Sequence, residues 1–473
     1  MAQPDTNDFL AGVIEGFYGP PWVQAERLEL FDWMASWGLN TYFYCPKDDW
    51  KQRAIWRQTY TAEETSTLRE LIAACEQHGI RFIYALSPGL DIRYSDPAEL
   101  DHLRLRFEQM ISLGCPNFAL LFDDIPDRLD AADLDRWGSL ASAQCHVANT
   151  MAAWVRERLP GARFLFCPTP YCGRMADARL GGEDYLPTLG RDLTPGIDIL
   201  WTGPEIISKE ITVDHAREMA RVLRRKPLIW DNYHANDYDG RRFFCGPYSG
   251  RPRELIDEVA GLLVNPNCEF QLNYVAFRTL AEFVRGSGPW DPRAAYLAAM
   301  QEWHAQFATC GIPISVEDLV LLGDCYYLPY EDGPEAAALF QKLAALLGSD
   351  PSGWGGAAND FRATAVRLRD ACARMAELRR RPLFYALCRR VWELREEMDL
   401  LERYVGTMAA SQADGSRFGS DFHLPGTYRG GFVDRLQRLL RQTPEGHFLP
   451  AASATRTGQA SRDHLHKDTP AVL

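Results

Sequence analysis

The 473-residue chain has no apolar run approaching the ~20 residues that cross a bilayer. Its first residues, MAQPDTNDFL, carry neither the basic flank nor the apolar stretch of a secretory leader. Positive charge is in deficit: 51 Lys and Arg stand against 64 Asp and Glu, a net charge of −13. Nucleic-acid and anionic-membrane binders depend on positive charge, so neither kind of partner is expected. There is no Cys-x-x-Cys pair and no His-Glu-x-x-His, and the 12 cysteines are irregularly spaced. Several of them (Cys45, Cys167, Cys268) sit in apolar runs, where a thiol behaves as a small buried hydrophobe. Reduced thiols, a cytoplasmic location and no metal or other cofactor are therefore the expectation.

What is present is alternation. Short apolar runs occupy residues 11–15, 40–46, 81–87, 117–124, 164–169, 197–203, 226–232 and 268–274. Between them lie amphipathic segments such as 25–37, 62–78, 98–113 and 141–159. Strands alternating with helices imply parallel pairing through right-handed crossovers. Eight units over the first 285 residues match the size of a (β/α)8 barrel, about 250 residues. An open doubly wound sheet usually follows its first strand with a Gly-rich phosphate loop. Here Glu15-Gly16-Phe17-Tyr18-Gly19-Pro20-Pro21 is too bulky for that role. The expected fold is α/β: a TIM-type barrel over 1–285, an all-helical domain over 286–445 and a disordered tail over 446–473. The helical segments are read at 291–307, 334–347, 359–380, 383–410 and 431–442. The Arg and Glu runs of 379–397 read as solvated helix faces.

A barrel of this kind carries its active site at the C-terminal ends of the strands. Those ends hold carboxylates, amides and aromatics, with no Ser–His relay. Amides and carboxylates bind sugar hydroxyls, and aromatic rings cover apolar sugar faces. The sharpest local feature is Asp123-Asp124, directly after the buried run Phe118-Ala119-Leu120-Leu121-Phe122. Like charge in a low dielectric is expected to raise one of the two pKa values, as a general acid requires. Adjacent carboxyls on one strand do not easily flank a sugar at the ~5–5.5 Å of a conventional retaining pair. A 2-acetamido group acting as its own nucleophile fits better: one carboxylate holds its N–H, and the other protonates the leaving oxygen.

The motifs Gly12-Val13-Ile14-Glu15-Gly16-Phe17-Tyr18-Gly19, Pro46-Lys47-Asp48-Asp49, Phe118 to Ile125 and Trp230-Asp231-Asn232-Tyr233-His234-Ala235-Asn236-Asp237 closely resemble glycoside hydrolase family 84. Leu200-Trp201-Thr202-Gly203-Pro204 and Asn265-Pro266-Asn267-Cys268-Glu269 agree with it. That family contains the O-GlcNAcases, which remove β-linked N-acetylglucosamine from Ser and Thr. The resemblance runs through the barrel and is similar to a compact microbial relative of the animal catalytic domain. It implies that Asp123 polarises the acetamido group and that Asp124 is the general acid and then the base. It implies that Tyr171 helps hold the acetamido oxygen. Lys47, Asp237, Asn273 and the Gly16 backbone would bind ring hydroxyls, with Asn232 and Trp230 lining the pocket. Asp48 and Asp49 read as loop-structuring, and Glu15 as a buttress. One departure is Pro170, where the animal pattern has an acidic residue. A hexosaminidase or hyaluronidase-type enzyme on oligosaccharides, and a non-catalytic GlcNAc-binding module, are the alternatives. A chitinase is disfavoured because its Asp-x-x-Asp-x-Asp-x-Glu pattern is absent. The resemblance also implies a homodimer through the helical domain, with the 411–430 loop (Phe418, Phe422, Tyr428) reaching toward a substrate cleft.

Overall fold

Apolar runs of four to six residues are satisfied on both faces only inside a parallel sheet that helices cover. In the computed structural model, which describes residues 9–410, 418–419 and 428–451, eight such runs do this. They are β1 (Leu10–Glu15), β2 (Thr41–Tyr44), β3 (Arg81–Leu86), β4 (Asn117–Leu121), β5 (Phe164–Cys167), β6 (Ile197–Trp201), β7 (Leu228–Asp231) and β8 (Gly261–Val264). They pair in parallel and in chain order, and β8 returns to β1 with Leu10 opposite Gly261 and Val13 opposite Val264. The closed barrel and its surrounding helices are the expected fold.

Strand side chains alternate with period two, so each strand has an inner and an outer set. Leu10, Ile14, Phe43, Ala119, Leu121, Leu165, Cys167, Leu200, Leu228, Trp230 and Leu263 fill the barrel interior as one buried cluster. The intervening Val13, Tyr42, Phe118, Leu120, Phe164 and Ile229 face outward and pack against the helices. Glu15 belongs to the outward set. It is fully buried and takes two hydrogen bonds from Arg27 of the helix Gln24–Trp37, at 2.7 and 2.9 Å. It also accepts from the Trp22 backbone and the Tyr42 hydroxyl, so it ties the first strand to the following helix and to β2.

The eighth strand corrects the sequence reading. It is Gly261–Val264 and not 268–274. The later segment forms the short turn Phe270–Leu272 and the start of the helix Tyr274–Arg285, whose buried residues recur with helical period. Four residues suffice for a strand buried on both faces, which makes Gly-Leu-Leu-Val easy to overlook. No Cβ fits at Gly261, because the backbone oxygen of Leu10 would lie 2.3 Å from it.

Beyond the barrel, the helices Pro292–Trp303, Val316–Asp324, Pro334–Leu347, Gly355–Arg374, Arg381–Ala410 and Gly431–Gln437 share a second core. Val316–Asp324 had no counterpart in the sequence reading. The segment read as helical over 431–442 ends at Gln437, and Leu440–Gln442 pairs with Phe448–Pro450 in a two-stranded sheet. Regular structure therefore extends past residue 446, and 452–473 lie outside the described residues. The 379–397 charges are not all solvated: Arg390 and Glu397 are buried, at 6% and 5% exposure. Phe418 and Tyr428 are buried in this second core, and Phe422 lies outside the described residues. All 12 cysteines are free. Among the described residues no helix is long and apolar enough to cross a membrane.

Candidate active site

Continuing the inward parity one step beyond each strand's inner set brings a group of polar residues to one mouth of the barrel. Gly16 follows Ile14, Lys47 follows Phe43 and Cys45, and Asp123 follows Ala119 and Leu121. Asn232 follows Trp230, and Asn265 follows Leu263. Alternation thus collects residues from five strands at the C-terminal face, where barrels carry their chemistry.

Asp123 is 5% exposed and forms a buried ion pair with Lys47 through Oδ2. Its other oxygen, Oδ1, is buried and has no partner among the described residues. Burial pushes its pKa up, but the Lys47 ammonium and the Arg53 guanidinium outweigh burial and hold the carboxyl below its ordinary value. Repulsion within the Asp pair therefore does not raise this member. At neutral pH Asp123 is a fixed anion with one oxygen free to accept a hydrogen bond. The Lys47 ammonium also lies 5.3 Å from the centre of the Trp230 ring.

Asp124 leaves the strand through a left-handed backbone conformation, φ 51°, uncommon for a residue with a side chain. The Arg53 guanidinium clamps this turn by donating to the Asp124 backbone oxygen at 2.7 Å. The turn lets two adjacent carboxyls serve different positions. Asp124 Oδ1 accepts from the Tyr171 hydroxyl at 2.8 Å, and Oδ2 accepts from the Tyr18 hydroxyl at 2.9 Å. Burial, with the Asp124 charge beside them, pushes both phenols above the ordinary tyrosine range. Both therefore stay protonated and donate.

Tyr18 also ties Asp124 to Asp237, because its backbone N–H donates to Asp237 Oδ2 at 3.0 Å. Burial pushes the Asp237 pKa up, and the nearby Asp124 charge adds to this. Trp230, 5% exposed, packs directly against Gly16: a Cβ there would sit 2.4 Å from the ring. Glycine is needed because the ring occupies its side-chain space. Asn232 donates to the Ile206 oxygen and accepts from Asn265 Nδ2, both at 2.9 Å. The Oδ1 of Asn265 is buried without a partner among the described residues.

Asn273 is not part of this group. It is fully buried, and its side chain closes a turn. Oδ1 accepts from the Asn267 backbone at 2.8 Å and from Asn267 Nδ2 at 2.9 Å. Nδ2 donates to the backbone oxygens of Asn267 and Glu269. Asn265 holds the strand-end position that the sequence reading gave to Asn273, and placing the strand at 261–264 reveals it by parity. Tyr18 and Arg53 were also missed as site residues; their parts depend on contacts across 106 and 71 residues of chain. Asp48 accepts from the Gly19 backbone, and Asp49 from the Tyr44 and Tyr60 hydroxyls, so both structure loops as expected.

A family model described as beta-N-acetylglucosaminidase matches residues 11–311. The chain is 49% identical over 279 residues to the protein O-GlcNAcases of Mus musculus and Rattus norvegicus. Those matches cover 59% of this chain and 30% of each relative, so the likeness spans less than a third of their length. Among solved structures, a mutant of the O-GlcNAc hydrolase of Thermobaculum terrenum superposes with a TM-score of 0.75 at 27% identity. That match covers 85% of this chain and 86% of the other.

Proposed function

The chain belongs to the beta-N-acetylglucosaminidase family, and from that premise we propose that it removes β-linked N-acetylglucosamine from Ser and Thr of proteins or related glycoconjugates, with the substrate's own acetamido group as nucleophile. The observation that carries this reading is the unequal environment of the carboxyl pair. Asp123 is a buried anion locked to Lys47 with one oxygen free, while Asp124 is shared by the Tyr18 and Tyr171 hydroxyls. An anion with a free oxygen suits an amide N–H. A carboxyl at the tip of a turn suits the leaving oxygen.

In this reaction the acetamido oxygen attacks the anomeric carbon as the bond to the leaving oxygen breaks. Asp123 accepts the acetamido N–H and draws density toward the attacking oxygen. Asp124 gives its proton to the leaving oxygen. A bicyclic oxazoline results. Water then adds to the anomeric carbon on the vacated face, Asp124 takes its proton, and the acetamido group re-forms. Two displacements retain the configuration. Trp230 walls the pocket, and Lys47, Asp237, Asn232 and Asn265 meet polar groups of the sugar.

The test compares an aryl β-N-acetylglucosaminide with the matching aryl β-glucoside, without added metal. Turnover of the first alone is expected. Cleavage of both would mean that a protein nucleophile operates, and would remove the role given to Asp123. Cleavage of neither by folded protein would favour the non-catalytic binding module.

A further inference from the structure

The helix Arg381–Ala410 carries buried charges that the chemistry does not use. Arg390 is 6% exposed and reaches from this helix to Glu269 of the barrel. Its guanidinium is held on two sides. Nη1 donates to the Ala386 oxygen at 2.7 Å, and Nη2 donates to Glu269 Oε1 at 2.5 Å. The Tyr326 hydroxyl fixes the backbone there by donating to the Arg390 oxygen at 2.7 Å.

Glu269 lies four residues beyond Asn265, on the connection that leaves β8. Its other oxygen, Oε2, accepts from Asn236 Nδ2 at 3.1 Å. Asn236 is 1% exposed and fully engaged. Its Nδ2 also donates to the Arg242 oxygen at 2.9 Å, and its Oδ1 accepts from the Cys268 backbone at 2.8 Å. The next residue is Asp237. A continuous line of hydrogen bonds therefore runs from the helical region to the loop carrying Asp237, through one carboxylate and one amide. Charge-assisted bonds of this kind are the stronger class and orient their partners.

We propose that Arg390 is a positioning residue for sugar binding, acting through Glu269 and Asn236 to hold Asp237 in place. The helical region is then part of the apparatus that sets substrate affinity, although its Arg390 touches no substrate. This rests on the reading of Asp237 as a hydroxyl ligand. Without Arg390, Glu269 has no ion-pair partner among the described residues, Asn236 loses its anchored acceptor, and the loop relaxes. Displacements of about 1 Å in a site cost up to ~100-fold in rate. A contact made equally in ground and transition states appears in KM rather than kcat.

The test uses the full chain and an aryl β-N-acetylglucosaminide. Arg390→Ala is expected to raise KM on the order of tenfold with kcat little changed. Glu269→Gln should do the same, and Arg390→Lys, which keeps the charge, should recover most of the loss. Asp237→Ala should raise KM by itself, and adding Arg390→Ala to it should cost little more, since coupled sites do not add. Arg362→Ala, which breaks the 2.8 Å contact with Glu402 within the helical region, should leave KM unchanged. If Asp237→Ala raises KM while Arg390→Ala and Glu269→Gln do not, the relay is wrong and the reading of Asp237 stands. If the losses of Arg390→Ala and Asp237→Ala add in full, Arg390 has only a structural role. If Asp237→Ala leaves KM unchanged, both ideas fall. Should Arg390→Ala fail to fold, Glu269→Gln and Arg390→Lys carry the same comparison.

Discussion

Two cations, Lys47 and Arg53, keep Asp123 ionised against its burial. Burial alone would drive its carboxyl toward neutrality, and Lys47 with Arg53 reverses that. Because the folded pKa is depressed, the stability Asp123 contributes is present above its unfolded value near 3.8 and is lost as pH falls through the lower folded value. Lys47→Ala removes the largest of the groups that oppose burial, so the pKa rises. The proposed reaction needs Asp123 ionised, so the acid limb of kcat/KM should move to higher pH. A limb that stays in place would separate Lys47 from the state of Asp123. The two carboxyls are also distinguishable by substrate. Asp124→Asn and Asp123→Asn should each cost about 10²- to 10⁴-fold in kcat. An activated aryl leaving group, which needs no proton, should rescue Asp124→Asn and not Asp123→Asn. Equal rescue of both would contradict their separate roles.

At the scale of elements, Asn265 and Asn273, both on the connection after β8, have opposite duties. Asn265 is the inward residue next after Leu263 and offers a buried oxygen with no partner among the described residues. Asn273 uses its side chain to bind its own turn. Asn265→Ala should therefore lower kcat/KM with little change in unfolding temperature. Asn273→Ala should instead lower stability by about 1–3 kcal/mol, the cost of leaving buried backbone groups unpaired. Thermal unfolding and steady-state kinetics on both variants decide this, and a reversed pattern would restore Asn273 to the site.

For the whole molecule, two cores meet through charged contacts as well as apolar ones. Arg380 of the helical region donates to Glu29 and Gln271 of the barrel, and Arg390 reaches Glu269. Inside the second core, burial pushes the Glu397 carboxyl up to about 7. A raised acid pKa means the folded state holds the extra proton between about 4.5 and 7, so stability falls as pH rises through that window. Glu397→Gln should be near-neutral at pH about 4 and stabilising above pH about 7, by on the order of 3 kcal/mol. Chemical denaturation at the two pH values measures it. A benefit that does not depend on pH would show that Glu397 is not titrating in this window.

The barrel was legible in the sequence because apolar runs and amphipathic segments alternate at the period such a fold demands. The carboxyl pair was legible because its buried run ends in two acids. Lys47, Trp230 and Asn232 were legible because strand ends carry the chemistry of barrels. The eighth strand was not, since Gly-Leu-Leu-Val is too short for periodicity to separate from its surroundings, and Asn265 was lost with it. Only the tertiary structure could place Tyr18 between Asp124 and Asp237, bring Arg53 to the Asp124 turn, or bury Arg390 against Glu269 across 121 residues. Local pattern reports which face a residue takes on its own element. Which charge meets which is decided when separate elements close on one another, because that contact depends on distances no run of neighbours contains.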